Sequence, residues 1–441
     1  MTNSETKNFS QNASLSYHLE DRDKCNKNTC ANTCNVPKLR FKGYNVEWKK
    51  VRTEEIFENV TIKNKPSLPV LAVTQERGTI LRESCGINIK YENESLKSYK
   101  LVKPGNFIIS LRSFQGGLEY SGLEGIVSPA YTILNNKQSI SYDFFKYYFK
   151  TYNFIKSLNI AVEGIRDGKQ ISYNSFKDIK ITFPNIEEQE KIASFLTLID
   201  KKIEKQKELV ELLKKYKRGL LSQIFSQKLR FKDKNGNDYQ EWEECKFDEI
   251  FQILGNNTLS RECLNYTNIG VKNIHYGDIL VKYHTCINDE IDKIPNINSD
   301  INLNKIPDDN YLTVGDVILA DTAEDYTVGK TCEIVSCNTK ILSGLHTIPC
   351  RPKRNFAKGY LGYYLNSAEY HDKLIPLITG IKVSSISKKE IKKTIIKYPV
   401  YNEQKKIANL LLLIENKLNL NIKRLELFET YKKGLLQQLF I

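Results

Sequence analysis

The sequence predicts an α+β protein in which two pseudo-repeated domains are separated by two long helices that pair antiparallel as a coiled coil. Three observations lead to this prediction. A stretch of about 42 residues occurs twice at constant spacing, its apolar residues follow a heptad pattern, and each copy is preceded by short β-like runs punctuated by Gly and Pro.

The repeated stretch is the clearest feature of the chain. Residues 184–225 read PNIEEQEKIASFLTLIDKKIEKQKELVELLKKYKRGLLSQIF and residues 399–440 read PVYNEQKKIANLLLLIENKLNLNIKRLELFETYKKGLLQQLF. The copies lie 215 residues apart without a gap, so that Gln189 matches Gln404 and Gly219 matches Gly434. A repeat of this length bears on the whole fold and is interpreted first.

Apolar residues in both copies recur at alternating steps of four and three, which predicts a narrow coiled-coil seam. In each seam the fifth position is polar, Gln206 in the first copy and Asn421 in the second. Antiparallel pairing would bring the midpoints together, so we predict that these two amides face each other and fix the register. The alternative is that both point to solvent. The seams are Ile192, Leu196, Ile199, Ile203, Gln206, Val210, Leu213 and Ile407, Leu411, Ile414, Leu418, Asn421, Leu425, Phe428.

A second repeat opens each domain. Residues 38–58 match 228–252, and the matched segments hold the two tryptophans of the chain, Trp48 and Trp242. We interpret both as framework residues. The resulting division is a mobile polar tail at 1–34, a first domain at 35–183, a central helix at 184–227, a second domain at 228–398 and a C-terminal helix at 399–441.

Inside the domains the elements are predicted from short runs. Residues 68–73, 107–111 and 130–134 are expected as strands of the first domain, and 144–158 as one amphipathic helix. In the second domain, 269–280, 314–320 and 341–349 carry the β-like runs, and a helix begins at Tyr360. Each domain has the usual size of an independent α+β unit.

The formal net charge is +14 and the pI is about 9.0, which favours a polyanionic partner and nucleic acid above a membrane surface. A composition rich in Lys and Asn is an alternative source of this charge. No apolar run reaches the roughly 18 residues that a membrane span needs. The N-terminus has no signal-peptide pattern and the ten cysteines are scattered, so we expect a cytoplasmic protein with reduced thiols.

Familiar catalytic and metal motifs are missing or incomplete. Gly329-Lys330-Thr331 lacks the upstream glycine of a phosphate-binding loop. Asp308 would need a nearby Glu-x-Lys to hold a magnesium ion as nucleases do. Cys25, Cys30 and Cys34 have no close Cys-x-x-Cys pair, so a zinc site is not expected. We therefore predict that the chain has no metal site and no active site of its own.

Each domain does offer side chains suited to duplex DNA. Arg pairs with guanine, Asn and Gln pair with adenine, and Lys contacts phosphate. A solvated surface role is the alternative for any one of them. The candidates are Arg77, Arg82, Arg112, Gln115, Arg166 and Lys169 in the first domain, and Arg261, Lys272, Asn273, His275, Lys282 and Lys382 in the second.

The two EQxKIA…YKxGLLxQxF blocks and the VPKLRF…EW opening at 36–48 resemble the DNA-specificity subunits of type I restriction–modification systems. The resemblance covers residues 35–441, and it implies two α+β target-recognition domains joined by antiparallel helices. Each domain would read one half of a split, asymmetric site in double-stranded DNA, and the helices would set the unread spacer.

The same resemblance implies partners. The helices would dock two modification (methyltransferase) subunits that bind S-adenosylmethionine, and restriction (translocase–endonuclease) subunits would join them, so this chain would not be an enzyme. The tail at 1–34 departs from the family's short start. The alternatives are a structural coiled-coil adaptor whose domains bind proteins, and an enzyme that acts alone.

Overall fold

The computed structural model describes residues 15–17, 35–75, 77–85, 94–161, 171–267, 270–380 and 382–441. The chain forms two compact units, Met1–Gln206 with Arg424–Ile441, and Lys207–Lys423. Each unit joins one α+β domain, called here the first head (35–183) or the second head (228–398), to part of both long helices.

The first head is built on an antiparallel sheet in the order β4-β11-β8-β9, with the pairs β5-β6, β7-β10 and β3-β12 beside it. Its strands are β1 Leu15–Tyr17, β2 Leu39–Phe41, β3 Lys49–Arg52, β4 Phe57–Val60, β5 Leu71–Thr74, β6 Gly78–Leu81, β7 Lys100–Val102, β8 Phe107–Ile109, β9 Glu119–Tyr120, β10 Gly125–Val127, β11 Thr132–Asn136 and β12 Lys180–Phe183. The helices that begin in this unit are α1 Thr53–Ile56, α2 Ser113–Gly116, α3 Tyr142–Tyr148, α4 Tyr152–Ile160, α5 Tyr173–Lys177 and α6 Ile186–Phe225.

Aromatic side chains fill the core of the first head. Phe57, Phe107 and Phe149 are fully buried, and their rings meet at centroid distances of 4.9–5.8 Å, mostly edge to face. Such pairs add to the free energy gained by burying the rings themselves. The core therefore fixes α3 and the following turn against the sheet.

The second head has a five-stranded sheet in the order β14-β23-β19-β21-β17 and a four-stranded sheet in the order β15-β18-β16-β22. Its strands are β13 Glu243–Lys246, β14 Phe251–Ile253, β15 Leu264–Asn265, β16 Lys272–Ile274, β17 Cys286–Asn288, β18 Asn296–Ile297, β19 Val317–Ala320, β20 Thr322–Ala323, β21 Thr331–Ser336, β22 Ile341–Ser343, β23 Thr347–Pro352, β24 Ser384–Ser385 and β25 Ile395–Tyr398. Its helices are α7 Phe247–Ile250, α8 Tyr276–Val281, α9 Tyr360–Leu365, α10 Ala368–Leu374 and α11 Lys388–Ile391, and α12 Tyr401–Leu439 follows.

The two heads share one framework. In both, the opening strand pairs antiparallel with the last strand before the long helix, β3 with β12 and β13 with β25. In each head the first and last strands therefore lie side by side, next to the start of the long helix that follows. Trp48 and Trp242 directly precede these opening segments and are buried, as expected for framework residues.

Matching contacts at the start of each long helix explain why the two copies of the repeat agree there. Arg40 forms a buried ion pair with Glu188 at 2.7 Å, and Arg230 pairs with Glu403 at 2.8 Å. The following glutamine also repeats its bonds, because the Nε2 atoms of Gln189 and Gln404 both donate to the carbonyl of the proline five residues earlier. These polar groups are buried with their partners and so fix where each helix begins.

The prediction of antiparallel long helices is confirmed within each unit. In the first unit, the start of α6 shares a core with the end of α12, and in the second unit the end of α6 shares a core with the start of α12. The shared residues are Ile192, Leu196, Ile199, Ile203, Leu435, Leu439 and Phe440 in the first, and Leu220, Ile224, Phe225, Ile407, Ala408, Leu411 and Ile414 in the second.

The seam amides belong to different units. Gln206 is buried, and the Nδ2 atom of half-buried Asn421 donates to the Lys417 carbonyl at 2.7 Å. The predicted contact between the two amides stays a prediction.

Two predictions of local structure were wrong. Residues 144–158 form two helices, because the Thr151 side chain caps a new helix by accepting from Phe154 N at 3.4 Å. Residues 269–280 include strand β16 but then helix α8, because His275 Nδ1 accepts from Gly277 N at 3.2 Å and caps that helix. Leu15–Tyr17 form strand β1, and the rest of the predicted tail, with Cys25, Cys30 and Cys34, lies outside the described residues.

Candidate nucleic-acid interface

Three of the predicted residues of the first head lie near one half-buried lysine, Lys150. Lys150 Nζ donates to the carbonyls of Gln75 and Gly116 at 3.1 and 3.0 Å and to Glu119 Oε1 at 2.6 Å. It thereby joins the turn between β5 and β6 to helix α2. Burial lowers the pKa of Lys150, and the adjacent carboxylate of Glu119 opposes that effect. Lys150 could not be predicted from the sequence, because nothing in its neighbours shows which carbonyls it meets.

This arrangement brings three of the predicted residues to one edge of the head. Arg77 lies in the turn between β5 and β6, Arg112 immediately precedes α2, and Gln115 lies within it; all three are exposed. Gln75 Nε2 lies 3.5 Å from the carbonyl of Arg112, so the turn and the helix are adjacent. The edge thus combines two guanidinium groups and one amide, the groups that read guanine and adenine.

The other three predictions for the first head are separate from this edge. Arg82 follows β6 at the opposite end of the β5-β6 hairpin, where its N–H donates to the Val70 carbonyl at 3.1 Å. Arg82 is therefore remote from the edge that holds Arg77, and its contact with DNA stays a prediction. Arg166 and Lys169 lie outside the described residues.

In the second head two of the predicted cations lie beside one buried carboxylate, that of Asp278. Arg261 Nη2 and Lys282 Nζ lie 3.0 and 2.9 Å from Asp278 Oδ1, and Asp278 is fully buried while both cations are about half exposed. Lys282 also donates to the Tyr266 hydroxyl at 2.6 Å. Hydrogen bonding to Asp278 raises the pKa of Arg261. The carboxylate therefore orients both cations while their outer faces stay accessible.

Next to them lies a group of rings. The His275 and Tyr276 rings are tilted at 36° with their centroids 4.6 Å apart, and the Tyr276 ring meets His346 edge to face at 5.2 Å. Burial lowers the pKa of His275, and the nearby Arg261 lowers it further. His346 has a φ of 54°, which is uncommon outside glycine, and such strain concentrates at functional positions. Tyr276 is a candidate that the sequence prediction missed.

Two predicted residues of the second head are covered by neighbouring residues, and their contacts with DNA stay predictions. Asn273 is fully buried, and its Oδ1 accepts from Asn257 at 2.7 Å, so its side chain faces the interior. Lys272 Nζ donates to the Asp289 carbonyl at 2.7 Å and is largely covered. They are adjacent on β16, so their side chains point to opposite faces of the strand, and both faces are covered. The sequence does not show that so short a strand is covered on both sides.

Lys382 is exposed in the loop before β24, and β24 pairs with β20 next to the Asp321 that contacts His346. It therefore flanks the group of rings. Across the described ranges there is no group of three or more His, Cys, Asp or Glu residues that could hold a metal ion, and no helix long and apolar enough to cross a membrane.

The long helices carry exposed apolar side chains at equivalent positions. Leu198 matches Leu413, Leu212 matches Leu427 and Tyr216 matches Tyr431, and each is more than half exposed. Repetition of exposed apolar groups at one spacing indicates binding surfaces, since single exposed leucines would not recur.

Two heads with different polar edges lie on one repeated framework, which is the arrangement of a modular DNA-reading protein. Comparisons of the chain with known proteins agree with this class. Residues 45–214 match the family described as "Type I restriction modification DNA specificity domain". The type I restriction enzyme MjaVIII specificity subunit of Methanocaldococcus jannaschii is 24% identical over 359 residues, covering 77% of this chain and 79% of the relative. The putative MjaX specificity subunit of the same organism is 25% identical over 226 residues, half of each chain.

Solved structures show the same fold. The type I restriction–modification S subunit from M. genitalium aligns with 92% of this chain and 99% of its own at a TM-score of 0.52 and 15% identity. A chain from a study of complex assembly and conformational transition of the type I R-M system aligns with 90% of this chain, also at 0.52. The chain is thus similar to type I restriction–modification specificity subunits in sequence over residues 45–214 and along most of its length, and it shares their fold.

Proposed function

We propose that this chain chooses the DNA sequence on which a type I restriction–modification complex acts, each head reading one half of a bipartite asymmetric site. The observation that carries the proposal is the contrast between framework and edges. Arg40–Glu188 and Arg230–Glu403 repeat as the same ion pair, while the exposed edge of each head has its own chemistry. Two readers of unrelated sequences on one scaffold require this contrast.

The reading residues proposed for the first head are Arg77, Arg112 and Gln115. Those for the second head are Arg261, Lys282 and His346, with Lys382 at the flank; His275 is buried and packs against Tyr276. Guanidinium and amide groups would contact base edges, while lysines would contact phosphate. The helices would hold the heads apart and so set the number of unread base pairs.

The partners follow from the same proposal. Two methyltransferase subunits would dock on the repeated exposed positions, Leu198, Leu427 and Tyr431 in the first unit and Leu413, Leu212 and Tyr216 in the second. S-adenosylmethionine would be bound by those subunits, restriction subunits would join them, and this chain would perform no chemistry itself. With such partners the chain would act in the cytoplasm. A coiled-coil adaptor with protein-binding heads has no comparable support.

Reciprocal variants test the assignment of the heads. The complex with the methyltransferase subunit from the same source is expressed in a host that lacks DNA methylation, and modified sites are mapped by single-molecule sequencing. Arg112→Lys should relax one half-site and Arg261→Lys the other, because lysine keeps the charge and loses the fork that grips guanine. Each variant is the control for the other. A contiguous motif, or relaxation of the same half by both variants, would refute the proposal.

A further inference from the structure

A repeated polar contact ties each head to both long helices. In the first unit, the hydroxyl of Tyr147 on α3 donates to Asp200 Oδ2 on α6 at 2.7 Å, and Lys432 Nζ on α12 lies 2.5 Å from Asp200 Oδ1. The ammonium of Lys432 also lies 5.5 Å from the centre of the Tyr147 ring. Three elements therefore meet at one carboxylate.

The second unit repeats this contact with the helices exchanged. The hydroxyl of Tyr363 on α9 donates to Glu415 on α12, and Lys217 Nζ on α6 lies 3.0 Å from Glu415 Oε1. Lys217 lies 5.7 Å from the centre of the Tyr363 ring. Positions 200 and 415, and 217 and 432, are related by the 215-residue repeat.

These bonds are partly shielded from solvent, more so in the second unit. Tyr147 and Tyr363 are almost fully buried, the Lys217 and Glu415 side chains are 18% and 10% exposed, and those of Lys432 and Asp200 are 28% and 33% exposed. Charge-assisted hydrogen bonds to a shared carboxylate are stronger than neutral ones and demand specific geometry. The contact thus restricts how each head is oriented on the helices beneath it.

The contact is crossed with respect to chain order. Lys432 lies in the helix that follows the second head, yet it contacts the carboxylate that the first head binds. Lys217 lies in the helix that follows the first head, yet it contacts the carboxylate that the second head binds. This exchange follows from the antiparallel pairing, since each unit takes the far half of the other head's helix.

We propose that Lys432 and Lys217 are positioning residues. Lys432 orients the first head and so governs reading of the first half-site, while Lys217 orients the second head and so governs reading of the second half-site. This inference rests on the proposed function. Neither lysine contacts DNA in this proposal. Each acts through the shared carboxylate and the tyrosine of the head.

The test uses the full chain in complex with its methyltransferase subunit. Replacing residues 60–183 with another head first assigns each half-site to a head. Lys432→Met and Lys217→Met keep the length of the side chain and remove its charge. Lys433→Met and Arg218→Met are the matched controls, since these exposed residues occupy the next position of each helix and are equivalent in the repeat.

We expect Lys432→Met to lower discrimination against a mismatch in the first half-site at least about threefold, where a single mismatch ordinarily costs about 5- to 150-fold. The second half-site should be read as before. Lys217→Met should give the reverse, and Lys432→Arg should restore discrimination because it keeps the charge. Asp200→Asn should reproduce Lys432→Met.

Equal loss of discrimination in both half-sites would overturn the proposal. So would a loss in the second half-site from Lys432→Met or in the first from Lys217→Met, and so would wild-type discrimination in both lysine variants. Thermal unfolding of each variant separates a misoriented head from an unfolded one. If the unaltered complex yields no bipartite motif at all, the proposed function fails instead, and that outcome is distinguishable because it precedes any substitution.

Discussion

Replacing Arg40 with methionine should unfold the first unit preferentially. The Arg40 and Glu188 side chains are 3% and 2% exposed, and Arg40 Nε and Nη2 both donate to the carboxylate at 2.7 Å. Nη2 also bonds to the Val46 carbonyl at 2.6 Å. Methionine fills the volume of the arginine stem but leaves a carboxylate in the interior without its counter-charge.

The magnitude follows from that burial. Removing one partner of a buried ion pair costs about 3–5 kcal/mol, and a domain is stable by only about 5–15 kcal/mol in total. The substitution should therefore remove roughly a fifth or more of the stability. Removing both charges together, as Arg40→Met with Glu188→Met, should recover most of the loss, because two well-packed apolar side chains replace a pair that had itself to be desolvated.

The two tryptophans make the assay specific for each unit. Trp48 reports the first head and Trp242 the second, and both are buried. In a Trp242→Phe background, urea unfolding followed by fluorescence should show a lower midpoint for Arg40→Met. In a Trp48→Phe background the same substitution should change the signal much less. A loss under about 1 kcal/mol, or a double variant no more stable than the single one, would refute the reasoning.

Three further predictions concern pH, modularity and length. Burial raises the pKa of Glu333 to about 7 although three backbone N–H groups bind it, so the folded state holds a proton that the unfolded state releases above pH ~4.5. Stability of the second unit should fall by up to about 3 kcal/mol between pH 4.5 and 7, measured by urea unfolding in the Trp48→Phe background, and Glu333→Gln should flatten that slope. Exchanging residues 60–183 for another such head should change one half of the methylated site, and a change in both halves would count against independent heads. Inserting four residues at the middle of either long helix should lengthen the unread spacer by about two base pairs, since four helical residues span ~6 Å, or abolish assembly; an active complex with an unchanged spacer would contradict the ruler role.

Much of the fold was predictable because its signals are local or repeated. The heptad steps from Ile192 to Leu213 describe a helix with a narrow apolar seam whatever surrounds it, and the 215-residue repeat supplies a partner inside the same chain. The sites were less predictable. Residue type alone selected Arg112, Gln115 and Asn273 alike. The first two are exposed, whereas Asn273 is buried.

The sequence by itself therefore determined the antiparallel helices, the two-headed plan and the family resemblance, since periodicity and repetition are properties of the chain read in order. Only the tertiary structure decided which polar groups face outward and which long-range partners they meet. Lys150 is surrounded by carbonyls from residues 75 and 116, and Lys432 reaches Asp200 across 232 positions of sequence. Such contacts depend on how strands and helices pack, and packing brings together residues whose separation along the chain carries no trace of their proximity.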